Sequence, residues 1–314
     1  MPRSMAAVDA QMFWMSAKVP NDQFLLFAFD GTPSDLAEAV DEMRARARSC
    51  TELGLRVVDD SRWRYPRWEA GGVGAEQFVT HPGGRAWQGL LDAVTGLAAD
   101  QLDLRRMSWR AHIFPEARDI PVLGAGSVVV VQIAHALGDG TRSAALAAAL
   151  LGRGQQVAAV APPRRGWLPQ RTVAAWRAHR RLVRDTEAGV LTPPAPPRPL
   201  LSINQRPQGD PVLRTVVVRR DRLPGPTVTV GALTVIADAL GGYLAARGED
   251  PSTLGAEVPM AGGGGVNAHN NFRNVGIGLF TGADRAQRAR LIAGELAAHH
   301  RRAEHPAQRA ASAA

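Results

Sequence analysis

One histidine of this chain stands where a strand is predicted to end and a helix to begin. A run of β-branched residues, 128–131 and 133, precedes His135, and Asp139 and Gly140 follow it after a short loop. A buried strand that carries an imidazole to its end, before a turn into an alanine-rich helix, is well suited to fix a general base. The alternative is a core histidine with a purely structural role.

The residues that follow His135 are predicted to support it. We expect Asp139 to fold back, fix the loop and pair with an arginine, and so to hold the geometry of the histidine. A solvent-facing turn aspartate is the alternative. Gly138 and Gly140 are predicted to allow close approach or a positive φ, and Gly140 is a candidate for substrate binding.

Composition is that of a soluble globular protein large enough for two lobes. The 314 residues are 45% hydrophobic and 21% charged. Cys50 is the only cysteine, which excludes an internal disulfide and favours a reducing cytoplasm. Residues 128–134 are too short to span a bilayer, and the first residues contain no apolar segment typical of a secretory signal.

The net charge of +8 comes almost wholly from arginine, since Lys18 is the sole lysine. Such a surface attracts phosphate, as carried by coenzyme A and anionic membranes. The arginine-rich helix predicted at 172–187, with Trp176, is either a solvated face or a contact for these groups. Nucleic acid is not expected, because no recognition motif accompanies the charge. The run Gly262-Gly263-Gly264-Gly265 lacks a following Lys-Ser/Thr and is expected to be a flexible loop.

Strands and helices alternate along the chain. Strands are predicted at residues 23–30, 53–58, 63–68, 77–80, 109–114, 126–135, 212–219 and 274–280. Helices are predicted to begin at Thr32 as the N-cap, and to cover 87–97, 141–151, 172–187, 230–246 and 285–300. We expect a first lobe over 1–190, a proline-rich crossover over 191–200, a partial second lobe over 201–300, and a disordered tail over 301–314.

Residues 135–140 resemble the His-His-x-x-x-Asp-Gly motif of acyltransferases with the chloramphenicol-acetyltransferase-like fold. Three flanking segments are similar to those of the bacterial wax ester synthase/diacylglycerol acyltransferase family, namely 8–15, 102–112 and 271–276. The resemblance implies an α/β fold with two lobes, a sandwich of mixed sheets, and His135 in a channel between the lobes. The second lobe is expected to be incomplete.

The same resemblance implies a function. The chain would be an O-acyltransferase that moves a fatty acyl group from acyl-CoA to diacylglycerol or a long-chain alcohol, with His135 and Asp139 as catalytic residues. Asn274 would contact the thioester carbonyl or the hydroxyl, or else simply cap its strand. Acyl-CoA is a co-substrate, and no cofactor or metal is implied. The protein would lie in the cytoplasm, peripherally associated with a membrane or lipid-droplet surface.

Three departures from the family keep other functions open. Ala134 replaces the first histidine of the motif, and Gly231-Ala232 replace an Asn-Asp pair. The chain also ends before the segment that carries a Ser-Asn-x-x-Gly-Pro motif in relatives, so an uncovered edge and self-association are expected. The rival hypotheses are a lipid- or partner-binding paralogue without turnover, and a condensation domain served by carrier proteins.

The other histidines are expected to be structural. His112 and His269 lie outside the motif. His299 and His300 are adjacent on a predicted helix and point in different directions, so they do not predict a metal site.

Overall fold

A computed structural model describes residues 3–154, 157–161, 168–191, 193, 195–262, 267–306 and 308. The chain divides into two compact units. The first comprises Met1–Arg164, Asp210–Thr215 and Val266–Asn271, and the second comprises Arg165–Gly209, Val216–Gly265 and Phe272–Ala314. Each unit is mixed α/β, as predicted from the sequence.

The first unit is built from eight strands and four helices among its described residues. The strands are β1 (Arg3–Ser4), β2 (Gln23–Asp30), β3 (Leu55–Val58), β4 (Arg67–Ala70), β5 (Phe78–Thr80), β6 (Arg85–Ala86), β7 (Trp109–Ile120) and β8 (Gly124–Ile133). The helices are α1 (Ala7–Ser16), α2 (Leu36–Ser49), α3 (Trp87–Leu97) and α4 (Gly140–Leu150).

Two sheets organise this unit. The larger has the order β2-β8-β7-β5; β8 runs antiparallel to both β2 and β7, whereas β5 and β6 run parallel to β7. The smaller has the order β1-β4-β3 and is antiparallel. The larger sheet is therefore mixed, which confirms the prediction.

Strand β8 is buried on both faces. Val129 and Val131 pack into one hydrophobic cluster, and Val128 and Val130 pack into another. Successive residues of a strand point to opposite faces, so a continuous apolar run fits a central strand covered on both sides. This burial fixes the strand that ends immediately before His135.

The second unit contains three helices and a two-stranded sheet among its described residues. These elements are α5 (Leu168–Glu187), α6 (Val228–Ala246), β9 (Gly255–Ala261), β10 (Phe272–Gly278) and α7 (Arg285–Glu304). Strands β9 and β10 are antiparallel, and they share a hydrophobic cluster with α6 and α7. Helix α6 is the one described helix whose length and composition would suffice to cross a membrane, but several of its residues belong to this core.

The two compact units are not continuous along the chain, and the lobe bounds at residues 190 and 200 stay a prediction. Helix α5 belongs to the second unit, in which His305 lies 3.2 Å from Asp185 and Arg302 donates to Thr186 at 3.2 Å. The first continuous segment of the first unit runs to Arg164. Two later segments, Asp210–Thr215 and Val266–Asn271, belong to the first unit.

Several element predictions need correction. Helix α2 begins at Leu36 and not after Thr32, because the Asp35 side chain accepts from the Glu38 N–H and so caps the helix. The strand predicted at 212–219 is absent: these described residues pair with no other strand, and Val216 is 85% exposed. Helix α7 continues to Glu304, so the predicted tail starts within a helix.

Two segments lie partly outside the described residues. Of the glycine run, only Gly262 is described. In the crossover, residues 193 and 195–200 form neither helix nor strand, as their prolines predict, and 192 and 194 are outside the described set.

A glycine of β8 provides a test of this packing. A Cβ at Gly126 would lie 2.0 Å from the Phe29 carbonyl oxygen, which belongs to the paired strand β2. We expect Gly126→Ala to lower the free energy of unfolding by about 2 kcal/mol or more. Gly89→Ala, on helix α3 where a Cβ meets nothing within 4 Å, should be neutral or stabilising. Equal denaturant midpoints for the two variants would contradict this packing.

Candidate functional site

His135 lies directly beyond the end of β8, as predicted. The strand stops at Ile133, and His135–Leu137 forms a single 3₁₀ turn before α4 begins at Gly140. The ring is half-buried. Ala134, which stands at the position of the first histidine of the motif, is fully buried in a hydrophobic cluster. Its side chain therefore packs in the core, and His135 is the imidazole of the motif.

Asn270 sets the orientation and the tautomer of His135. The Asn270 amide nitrogen donates to the His135 carbonyl oxygen at 2.9 Å and to the Asp9 carboxylate at 3.0 Å. Both partners can only accept, so the amide oxygen is the atom that faces His135 Nδ1, at 3.0 Å. Nδ1 must then carry a proton, so in the neutral ring the lone pair is on Nε2. A histidine in this tautomer can accept a proton at Nε2.

Asp9 holds the segment that carries Asn270. One carboxylate oxygen accepts from the Asn270 backbone N–H at 2.9 Å, and the other accepts from the His269 backbone N–H at 2.9 Å. Asp9 is 1% exposed and lies on α1. Because its oxygens also accept from both side chains, the carboxylate receives four hydrogen bonds from two consecutive residues. This arrangement fixes the backbone of residues 269–270 against α1.

His269 lies between two carboxylates. Its Nδ1 is 3.2 Å from Asp9 Oδ2, and its Nε2 is 2.8 Å from Glu52 Oε2. Ionised carboxylates only accept, so both ring nitrogens donate and the ring is an imidazolium. Burial lowers the pKa of His269, but hydrogen bonds and charge attraction from Asp9 and Glu52 outweigh it, and the pKa is raised above its ordinary value. His269 thus has a structural role, and it acts as a buried cation between the two carboxylates.

Glu52 is kept ionised in the interior by three donors. Arg3 donates to one oxygen at 2.8 Å, and Arg142 donates to the other at 2.7 Å, beside the bond from His269. Burial raises the pKa of Glu52, but the hydrogen bonds from His269 and Arg3 together outweigh it and lower the pKa to about 2. A buried carboxylate is tolerated only with such compensation.

Asp139 has a different partner from the one predicted. One oxygen accepts from the Arg142 backbone N–H at 3.0 Å and so caps α4, and the other accepts from the Asn271 backbone N–H at 2.9 Å. In the described part of the chain it forms no ion pair, because the Arg142 guanidinium is paired with Glu52. Asp139 therefore positions the loop through backbone groups, and the predicted Asp139–arginine pair is wrong.

The two glycines of the motif differ from one another. A Cβ at Gly138 would lie 3.0 Å from Arg142 Cβ, so close packing, and not a positive φ, favours glycine there. Gly140 is exposed, and a Cβ there would meet nothing within 4 Å. Nothing in the packing requires glycine at Gly140, which stays a predicted substrate contact.

Asn274 belongs to the second unit. It is exposed on β10, and its amide donates to Glu257 at 3.4 Å. The asparagine that contacts His135 is Asn270, four residues earlier. Asn270 stands in the His-Asn-Asn sequence that directly precedes β10, and this polar cluster at a strand entry was the one available signal for it.

His112 has the structural role predicted for it. The Gln132 amide nitrogen donates to Asp22 at 2.8 Å and to the Asp100 carbonyl at 2.7 Å, so its oxygen faces His112 Nε2 at 3.1 Å. His112 is therefore protonated at Nε2, and its Nδ1 faces His81 Nε2 at 3.2 Å. Burial lowers the pKa of His112, so the ring is neutral.

A small cleft opens beside this cluster in the first unit. Its cavity volume is about 10 Å³, and its lining includes Arg3, Asp9, Trp68 and His269. Within the described residues, no group of three or more His, Cys, Asp or Glu side chains is placed to hold a metal ion.

Solved structures with the same architecture place this site in a known fold. The first condensation domain of the calcium-dependent antibiotic synthetase, in complex with a substrate analogue, aligns with a TM-score of 0.57 at 16% identity, over 97% of this chain and 76% of that chain. The chain has the chloramphenicol-acetyltransferase-like fold.

Two further structures with this fold align over most of the chain. The wax ester synthase/diacylglycerol acyltransferase from Marinobacter aquaeolei VT8 aligns with a TM-score of 0.51 at 15% identity, covering 95% of this chain and 72% of that chain. A variant starter condensation domain of rhizomide synthetase, in complex with C8-CoA and Leu-SNAC, aligns with a TM-score of 0.54 at 14% identity, over 97% and 72% of the two chains.

Comparison of the amino-acid sequence alone finds no match. No protein-family model matches the sequence, and no curated protein matches it. Identities of 14–16% show a common fold, so the reaction must be argued from the site itself.

The buried carboxylate makes stability depend on acid pH. Because folding lowers the pKa of Glu52 from 4.5 to about 2, its contribution is complete above pH 4.5 and is lost as the pH falls towards 2. The shift corresponds to about 3 kcal/mol. Glu52→Gln, which leaves the surrounding cations without their partner, should therefore lower the free energy of unfolding by about 3–5 kcal/mol near pH 7.

The pH dependence distinguishes this effect from a general packing defect. The difference between the parent chain and Glu52→Gln should shrink as denaturation curves are repeated from pH 6 down to about pH 3. Glu69→Gln is the matched control, because Glu69 is paired with Arg56 at the surface at 3.4 Å and should cost less than about 1 kcal/mol. A difference that stays constant across that range would contradict the assignment of Glu52 as an ionised buried group.

Proposed function

We propose that this protein is an acyl-CoA-dependent O-acyltransferase in which His135 is the general base. The observation that carries the proposal is the bond between His135 Nδ1 and the Asn270 amide oxygen, which leaves the lone pair on Nε2. A base of this kind suits acyl transfer without a covalent enzyme intermediate. The sole cysteine, Cys50, lies next to α2 and outside the motif.

The proposed step is a direct transfer. The Nε2 lone pair of His135 removes the proton of the acceptor hydroxyl as its oxygen attacks the thioester carbonyl. The tetrahedral intermediate then collapses, the carbon–sulfur bond breaks, and the resulting imidazolium returns the proton to the coenzyme A sulfur. The Nδ1 proton stays on the ring, bonded to Asn270, and this bond strengthens as the ring becomes positive.

The proposed substrates are fatty acyl-CoA and diacylglycerol or a long-chain alcohol. Support comes from the wax ester synthase/diacylglycerol acyltransferase that shares the fold and from the fold's occurrence in a structure containing C8-CoA. The segments that resemble that enzyme family lie on both sides of His135, and they include Asp9, which the structure places in the His135 network.

A condensation-type reaction is the second candidate. It is favoured by the higher TM-score to the condensation domain, 0.57 against 0.51 for the wax ester synthase. His135 would play the same part, with an amine in place of the hydroxyl as the attacking group. Assays with a fatty alcohol, diacylglycerol and an aminoacyl thioester as parallel acceptors decide between the two reactions.

The base assignment is tested by removing the imidazole. His135→Ala should reduce acyl transfer from labelled acyl-CoA by roughly 10²–10⁴-fold, the usual contribution of a general base. His300→Ala, an exposed histidine on α7, is the matched control and should change the rate less than about twofold. Activity of His135→Ala within a few fold of the parent would rule out this mechanism. Acyl-CoA binding without turnover in the parent chain would instead favour a binding-only paralogue.

The positioning role of Asn270 is tested separately. Asn270→Ala removes the acceptor of the Nδ1 proton, so the ring can rotate and adopt the other tautomer, and kcat should fall roughly tenfold or more with little change in KM. Asn274→Ala is measured in parallel, since sequence alone pointed to that asparagine. A larger loss for Asn274→Ala than for Asn270→Ala would overturn the assignment.

A further inference from the structure

Three aromatic side chains form an exposed surface patch on the first unit. Trp63 is 93% exposed, Tyr65 is 52% exposed and Trp14 is 46% exposed. Trp14, on α1, packs against Tyr65 with ring centroids 5.8 Å apart, and Trp63 lies in the same loop as Tyr65. The chain has only 7 tryptophans and 2 tyrosines, so a third of its Trp and Tyr residues is exposed here. Exposed apolar patches of this kind mark binding surfaces.

Three exposed cationic residues stand near these rings in the sequence. Arg62 and Arg64 flank Trp63, and Lys18 follows Trp14 by four residues. The acidic residues of the loop have arginine partners: Asp59 pairs with Arg105, and Asp60 pairs with Arg67 and also attracts Arg64. The patch therefore offers cationic groups to a partner, and this partner should be anionic.

We propose that this aromatic–cationic patch, formed by Trp14, Lys18, Arg62, Trp63, Arg64 and Tyr65, docks the protein on an anionic lipid membrane. Trp and Tyr rings favour the boundary between headgroups and acyl chains, where the apolar face is buried and the polar atom stays wet. Arginine and lysine beside them pair with the phosphates of anionic lipids. Docking uses no residue of the His135 site and does not depend on the proposed reaction.

The geometry favours a membrane over a protein partner. The side chain of Trp63 projects almost completely into solvent, and the patch is formed by a loop and the end of a short helix. A projecting tryptophan can insert into a fluid interface directly, whereas a protein partner would need a matching pocket. Helix α5 also presents an exposed tryptophan, Trp176, with Arg180 at 4.9 Å from its ring, and this similar pair supplies a matched control.

The test is sedimentation of the full chain with lipid vesicles. The parent chain should bind vesicles of equimolar phosphatidylcholine and phosphatidylglycerol at least about tenfold more tightly than phosphatidylcholine alone, and salt should weaken this binding. Two double variants, Trp63→Ser/Tyr65→Ser and Arg62→Gln/Arg64→Gln, should each lower the affinity by about tenfold. Trp176→Ser should change it less than about twofold. Because the substituted residues are exposed, circular dichroism should be the same for all variants.

Three results would overturn the proposal. The first is an unchanged affinity for anionic vesicles in both double variants. The second is a loss that follows Trp176→Ser and not the loop variants. The third is a parent chain that ignores vesicles but self-associates in sedimentation velocity, with the association abolished by Trp63→Ser/Tyr65→Ser, because this result would assign the patch to a contact between copies of the chain.

Discussion

The ion pair cluster around Glu52 is the interaction on which the site depends. An ionised carboxylate with no exposure to solvent is stable only while donors surround it, and one of these donors is the His269 ring. Because that ring is charged, it also holds the Asp9 carboxylate, and Asp9 in turn holds the backbone and side chain of Asn270. The proton position on His135 is the last consequence of this sequence of contacts. The buried ion pairs of Glu52 and Asp9 with His269 therefore fix the position of Asn270, and Asn270 fixes the tautomer of the half-buried His135 ring.

The sequence predicted the parts of this site that arise from local signals. The β-branched run that becomes β8, the turn after it and helix α4 follow each other between Gly124 and Leu150, and each has its own propensity or cap. Asp139 was recognised because it follows His135 by four residues in the motif, although the structure gives it backbone donors in place of an arginine side chain. The alternation of strand and helix patterns along the sequence predicted the mixed α/β fold. Burial on both faces of β8 explains why its apolar residues form a continuous run.

What the sequence could not predict depends on tertiary contacts. Asn270 is 135 positions from His135, and no periodicity connects them. In the sequence Glu52 resembles an ordinary surface residue, because the fold alone places Arg3 and Arg142 beside it. For residues 212–219 the sequence predicted a strand that the structure does not contain. A segment with high β propensity forms a strand only where a neighbouring strand pairs with it. Local preference and long-range pairing are separate pieces of information, and a single sequence supplies only the first.

The six residues Val266–Asn271 give this protein a particular order of assembly. They complete the first unit, yet they are synthesised after most of the second, and Asp9 receives its donors from a residue 261 positions away. At 5–20 residues per second a ribosome needs roughly 15 to 50 s to cover that interval. During this time Asp9 and Glu52 lack the donors of His269 and Asn270. The first unit can therefore be completed only when most of the second unit has already been synthesised.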